Sequence, residues 1–224
     1  MRCSLAAMSN VERHSLAWLN DAGWQAVLAS TRQHEVALSQ WQRHDWPVVV
    51  RRAEPDAAAD EICLGLPLPP ERDGAKLRLA LRVRSEHVAR TSDALELKSA
   101  QPFSGPWQER LTSLCNEAAA LNLRVFGSLA MQALTGLQYV SPTSDIDVLF
   151  HPANRQTLEE GVALLSRHIT LLPLDGEIVF PGGAAVSWKE WEMAIKTPAK
   201  VMVKELHTVR LADTASMLAT LEAQ

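Results

Sequence analysis

Cysteine is scarce in this chain. Cys3, Cys63 and Cys115 lie far apart, are odd in number and contain no CxxC pair. This excludes a disulfide framework or a thiolate zinc site and points to a reducing compartment. A basic excess is also missing. The formal net charge is −4 and the sequence pI is about 6.0, which argues against a general nucleic-acid binder but leaves room for a local basic cleft. No apolar run approaches the ~18 residues needed to cross a bilayer, and Leu5-Ala6-Ala7-Met8 is too short for a signal-peptide apolar core. The expectation is a soluble, cytoplasmic protein with neither a membrane nor a nucleic-acid partner. P-loop, GxGxxG and Ser-His-Asp patterns are absent as well. Tyrosine occurs once against seven tryptophans, most of which are read as core or cleft walls.

The chain does have length and periodicity. Its 224 residues suffice for one large domain or two small ones with real cores. Residues 1–10 read as a loose leader. "NDAGWQAVLAS" (20–30) opens on a capping-type Asn20 or Asp21 and reads as a helix. "HEVALSQWQRHDW" (34–46) reads as a second helix, stopped by Pro47. "VVVRR" (48–52) and "EICLGLPLPP" (61–70) read as short strands. In "KLRLALRVR" (76–84), leucines and a valine alternate with lysine and arginines, the mark of a half-exposed strand with one apolar and one basic face. Residues 85–105 run into "QPFSGP", a linker between an N-terminal domain over 11–100 and a second domain over 106–224.

The second half alternates strands and helices. Helices are expected at 107–122, 128–137 and 154–168, and strands at 123–126, 144–150 and 200–206. "ITLLPLDGEIVF" (169–180) reads as one strand, or as two around an Asp-Gly turn. Strands alternating with helices indicate an α/β or α+β layered domain.

The chemistry concentrates in "VFGSLAMQALTGLQYVSPTSDIDVLF" (125–150). In a strand, residues two apart share a face, so Asp145 and Asp147 project together while Ile146 and Val148 point to the core. Adjacent carboxylates repel, and a cation between them relieves that cost. A hard ion such as Mg²⁺ prefers carboxylate oxygens and leaves ligand positions for phosphates, so the pair suits phosphoryl or nucleotidyl transfer. A turn cap at Asp145 and an exposed strand edge at Asp147 form the competing structural explanation. Upstream, Gly127-Ser128 follows a strand and opens a helix, where backbone N–H groups and the helix dipole favour a phosphate.

Strand, Gly-Ser, helix and D-x-D strand together resemble the DNA polymerase beta-like nucleotidyltransferase superfamily. With "RHSLAWL" (13–19), "PVVVRR" (47–52), "GLPLPP" (65–70) and "KVMVKEL" (200–206), the chain resembles the holo-[acyl-carrier-protein] synthases of malonate decarboxylase, the phosphoribosyl-dephospho-CoA transferases. The long spacer over 129–144 marks this subgroup. The resemblance implies the α+β class, with a nucleotidyltransferase-type mixed sheet and flanking helices in the C-terminal half and a smaller α/β N-terminal domain that binds substrate. It also implies a reaction. Triphosphoribosyl-dephospho-CoA would donate its phosphoribosyl-dephospho-CoA group to a serine of the acyl carrier protein subunit, and pyrophosphate would leave. Asp145 and Asp147 would hold Mg²⁺, and Gly127 and Ser128 would hold the triphosphate.

A third carboxylate is expected from Asp175 or Glu177, as ligand or as base. Arg51 and Arg52 at a strand end are candidates for the polyphosphate. Lys76, Arg78 and Arg82 extend that wall unless they only solvate a strand face. Lys204, on one face of the last strand with Lys200, is a further phosphate candidate. His14 reads as a hydrogen-bonding structural residue, and Trp18, Trp107 and Trp188 as core rather than adenine stackers. Two rival functions stay open: a nucleotidyltransferase acting on a small molecule or another protein, and a non-catalytic carrier-protein chaperone.

Overall fold

A computed structural model describes residues 11–71 and 74–222; the expected leader at 1–10 lies outside the described residues. The chain forms two compact units, divided between Ala94 and Leu95. No helix among the described residues is long and apolar enough to cross a membrane.

The first unit comprises β1 (Leu16–Leu19), α1 (Asp21–Ser30), α2 (Glu35–Arg43), β2 (Val48–Val50), β3 (Glu61–Pro67), β4 (Arg78–Arg84) and β5 (Val88–Ser92). The strands make one antiparallel sheet in the order β4-β3-β2-β1-β5. Asn20 caps α1 through Gly23 N, satisfying one of the helix's orphan amide donors. The alternation read in the sequence sets β4. Leu79, Leu81 and Val83 are buried, and the arginines between them are exposed.

The second unit adds β6 (Leu95–Glu96), α3 (Leu97–Ala100), α4 (Gln108–Glu117), β7 (Leu123–Phe126), α5 (Gly127–Thr135), β8 (Ile146–Phe150), α6 (Arg155–His168), β9 (Leu174–Val179), β10 (Ala185–Ser187), α7 (Trp188–Lys196), β11 (Val201–Lys204), β12 (Val209–Ala212) and α8 (Thr214–Glu222). Its seven strands run in the order β12-β11-β10-β9-β8-β7-β6. Among the described residues only β8 and β9 of this sheet pair in parallel, joined by the α6 crossover, so the sheet is mixed. The α+β class expected from the sequence holds, with the nucleotidyltransferase-type mixed sheet and flanking helices in the C-terminal half. Leu111, Leu129, Leu165, Trp188 and Met217 from five helices join Val125, Val148 and Ile178 of the sheet in one core.

The possible turn at Asp175-Gly176 does not form, because β9 runs straight through both residues. Gly176 takes φ +131, and a side chain there would overlap the backbone of Val148 on β8. The glycine is what lets the two strands approach. The glycines that do turn are Gly182 and Gly183, between antiparallel β9 and β10. Helix α6 packs on a side chain of β8, since a Cβ on Gly161 would strike the Phe150 ring.

Candidate active site

Strand β8 has two chemically distinct faces. Ile146, Val148 and Phe150 belong to the core, while Asp147 leaves the sheet on the opposite side. Its register partners are Phe126 on β7 and Asp175 on β9. Neighbouring strands lie about 4.8 Å apart, so the Asp147 and Asp175 carboxylates rise side by side from one face. Asp145 sits one residue before β8 and is exposed. The bond from Ile146 N to Pro173 O (2.8 Å) continues the β8–β9 ladder up to that point.

The Gly-Ser pair meets the same carboxylate. Gly127 opens α5 with φ +69, a left-handed value, and a Cβ there would collide with Asp147 Oδ2. Only glycine meets both constraints. The amino end of α5, with Ser128 as its second residue, therefore lies against the Asp147 carboxylate, where the helix dipole favours anionic groups.

Gln132 fastens the spacer that carries Asp145. Its Oε1 accepts from Tyr139 N (3.0 Å) and Val140 N (2.9 Å), and its Nε2 donates to Phe103 O (2.7 Å). Further on, Ser144 N donates to Ser141 O and Ser141 N donates to the Ser144 hydroxyl, each at 3.0 Å. Ser144 is buried directly before Asp145. These bonds convert what reads as a long loop into a fixed approach to β8.

The two candidates for the third carboxylate separate by environment. Glu177 is buried, with its side chain 6% exposed, and its Oε1 accepts from Lys204 Nζ at 2.9 Å. Lys204 thus neutralises a desolvated carboxylate on β9. Asp175 is half-exposed, and its Oδ1 lies 3.3 Å from the Nζ of Lys189 in the first turn of α7. Among the described residues, no three His, Cys, Asp or Glu side chains converge into a closed cation site.

Arg51 and Arg52 belong to the first unit. Arg51 Nε donates to Leu64 O (3.0 Å), and its Nη2 pairs with Glu54. Arg82 also pairs with Glu54, and with Asp56 at 2.6 Å. These pairs hold both carboxyls below their ordinary values, the Arg82 bond being the largest cause in each case. Two members of the expected basic wall therefore form an internal ion-pair network. Arg52 is exposed. His14 sits at φ +70 in the turn before β1, with its backbone N–H on Val50 O (2.8 Å). Trp107 and Trp188 are core residues, whereas Trp18 carries the Arg90 guanidinium over its ring at 4.1 Å.

Sequence reasoning missed Lys189 and Gln132. The only trace of Gln132 is a lone amide in the apolar helix "SLAMQAL". Lys189, in "SWKEW", belongs to no motif at all.

Comparison with known proteins gives the family. Family models described as the phosphoribosyl-dephospho-CoA transferase MdcG N-terminal and C-terminal domains match residues 12–94 and 94–215. The chain belongs to the phosphoribosyl-dephospho-CoA transferase family. Among its relatives, the phosphoribosyl-dephospho-CoA transferase of Bradyrhizobium diazoefficiens is 36% identical over 87% of this chain and 90% of its own length. Those of Xanthomonas euvesicatoria pv. vesicatoria and Xanthomonas campestris pv. campestris are each 37% identical. They cover 92% and 80% of this chain, and 95% and 84% of their own lengths. No solved structure matches this member of the family. Membership makes the chain a transferase, and the two family models meet at the residue where the two units divide.

Proposed function

We propose that this transferase loads the acyl carrier protein subunit of malonate decarboxylase. It takes triphosphoribosyl-dephospho-CoA and the hydroxyl of a carrier serine, and it works in the cytoplasm. The serine Oγ bonds to the α-phosphorus of the donor, the bond from that phosphorus to its bridging oxygen breaks, and pyrophosphate leaves. The product is a phosphodiester between carrier and prosthetic group. The observation that supports this reading best is the contact between Gly127 and Asp147, which joins a phosphate-favouring helix terminus to a carboxylate wall.

Each residue then has a task. The backbone N–H groups at Gly127 and Ser128 bind the phosphates that become pyrophosphate. Asp145 and Asp147 offer hard oxygen donors, and two carboxylates suffice for an Mg²⁺ that keeps waters and phosphate oxygens as its other ligands. Bound there, Mg²⁺ would neutralise charge on the leaving phosphates. Asp175, half-exposed and in register with Asp147, is the third carboxylate and accepts the serine proton. Glu177 and Lys204 brace β9 against β11 as an ion pair.

The experiment is transfer of labelled prosthetic group from the donor to apo carrier, with Asp145→Asn and Asp147→Asn alongside the unmodified enzyme. Loss of at least about a hundredfold in each variant is expected. Full transfer by both variants would overturn the metal assignment. Turnover of ATP or CTP with none of the triphosphoribosyl donor would overturn the substrate assignment.

A further inference from the structure

Four residues form one row across the site. Phe126 pairs with Asp147, Asp147 pairs with Asp175, and Lys189 Nζ stands 3.3 Å from Asp175 Oδ1. Lys189 therefore ends a row that already holds two carboxylates, level with the amino end of α5. Its backbone is anchored from both sides. Trp188 before it is buried, and Glu190 after it accepts the amide of Met202 on β11 at 2.8 Å. Only the flexible stem of Lys189 is left to move.

The two lysines beside the sheet differ in what release would cost. Lys204 pairs with a buried carboxylate, and moving it would take a charge partner away from Glu177 in a desolvated position. Lys189 and Asp175 are 41% and 46% exposed and sit at a longer separation, so solvent screens the pair; the other contact of the ammonium, 5.8 Å from the centroid of the Trp188 ring, leaves it free to swing. An arriving polyphosphate offers stronger charge-assisted bonds to the same ammonium.

Resting on the function proposed above, we infer that Lys189, rather than Lys204, is the cation that receives the donor's polyphosphate, exchanging Asp175 for a phosphate oxygen. The exchange also frees the Asp175 carboxylate at the moment the donor is seated. Lys189 acts as a point charge on phosphate, a task that arginine can share.

The test is calorimetric binding of inorganic tripolyphosphate, with Mg²⁺, to the full chain. Lys189→Met and Lys189→Gln are compared with Lys189→Arg and with Lys196→Met, which removes an exposed lysine paired to Glu192 at the other end of α7. Binding about tenfold weaker in the Met and Gln variants, and near that of the unmodified chain in Lys189→Arg and Lys196→Met, is expected. Unchanged binding in Lys189→Met or Lys189→Gln would overturn the inference, as would equal weakening in Lys196→Met. This readout is separate from carrier loading. If tripolyphosphate binding depends on Lys189 but no prosthetic group is transferred, the proposed function falls and the phosphate site stands. If transfer proceeds and binding ignores Lys189, the reverse holds.

Discussion

The carboxylate of Asp147 occupies the space that a side chain on Gly127 would need. An Ala at position 127 faces both that collision and a φ of +69. Gly127→Ala is expected to cost about 1–3 kcal/mol of stability and to reduce transfer by more than the melt accounts for, because Asp147 is pushed out of place. Urea denaturation run beside the transfer assay checks this. In an Asp147→Ala background the collision is gone, so the same substitution should cost only its backbone strain.

Gly176 makes a different demand, since its neighbour is the Val148 backbone rather than a side chain that can turn away. Gly176→Ala should cost about 3 kcal/mol or more and loosen the parallel β8–β9 pair. The result to look for is a lower melting temperature together with reduced soluble yield. A melt indistinguishable from the unmodified chain would mean that the strands do not approach this closely.

Gln132 should matter locally. Gln132→Leu removes the acceptor for Tyr139 N and Val140 N, so those two amides are expected to lose hydrogen-exchange protection while the core strands keep theirs. The stability loss should be about 1–3 kcal/mol. Transfer should fall with it, because Asp145 ends the segment that these bonds hold.

Acid should weaken the first unit through Glu54. Bonds from Arg82, then Arg51, hold its carboxyl below the ordinary value of 4.5. A carboxyl depressed in the folded state contributes stability that is fully present above its unfolded value and is lost as pH falls through the folded value. The unmodified chain should therefore melt above Glu54→Gln at neutral pH, with the gap closing as pH drops below 4.5. A gap that is constant from neutral to about pH 3 would show that ionisation of Glu54 is not involved.

Much of the local structure was legible from the chain. The alternation in "KLRLALRVR", a cap at Asn20 or Asp21, helix α6 and the strand carrying Asp147 all follow from patterns spanning fewer than about fifteen residues, and the structure places the cap at Asn20. Short elements without a period of their own were missed. "LAWL" (β1) lies between two partners, and "VRLA" (β12) is paired only with β11. Neither sequence is long enough to separate a strand from a loop.

The sequence by itself determined the family frame and the residues that stand out within it: a Gly-Ser helix start and an Asp-x-Asp pair at the start of a strand. Tertiary structure decided which of those groups stand side by side. It set Asp147 beside Asp175, turned Asp175 toward Lys189, and committed Glu177 to Lys204. The physical reason is that the period of a strand fixes which of its own residues share a face, whereas register between strands far apart in sequence is fixed only by the packing of the whole sheet.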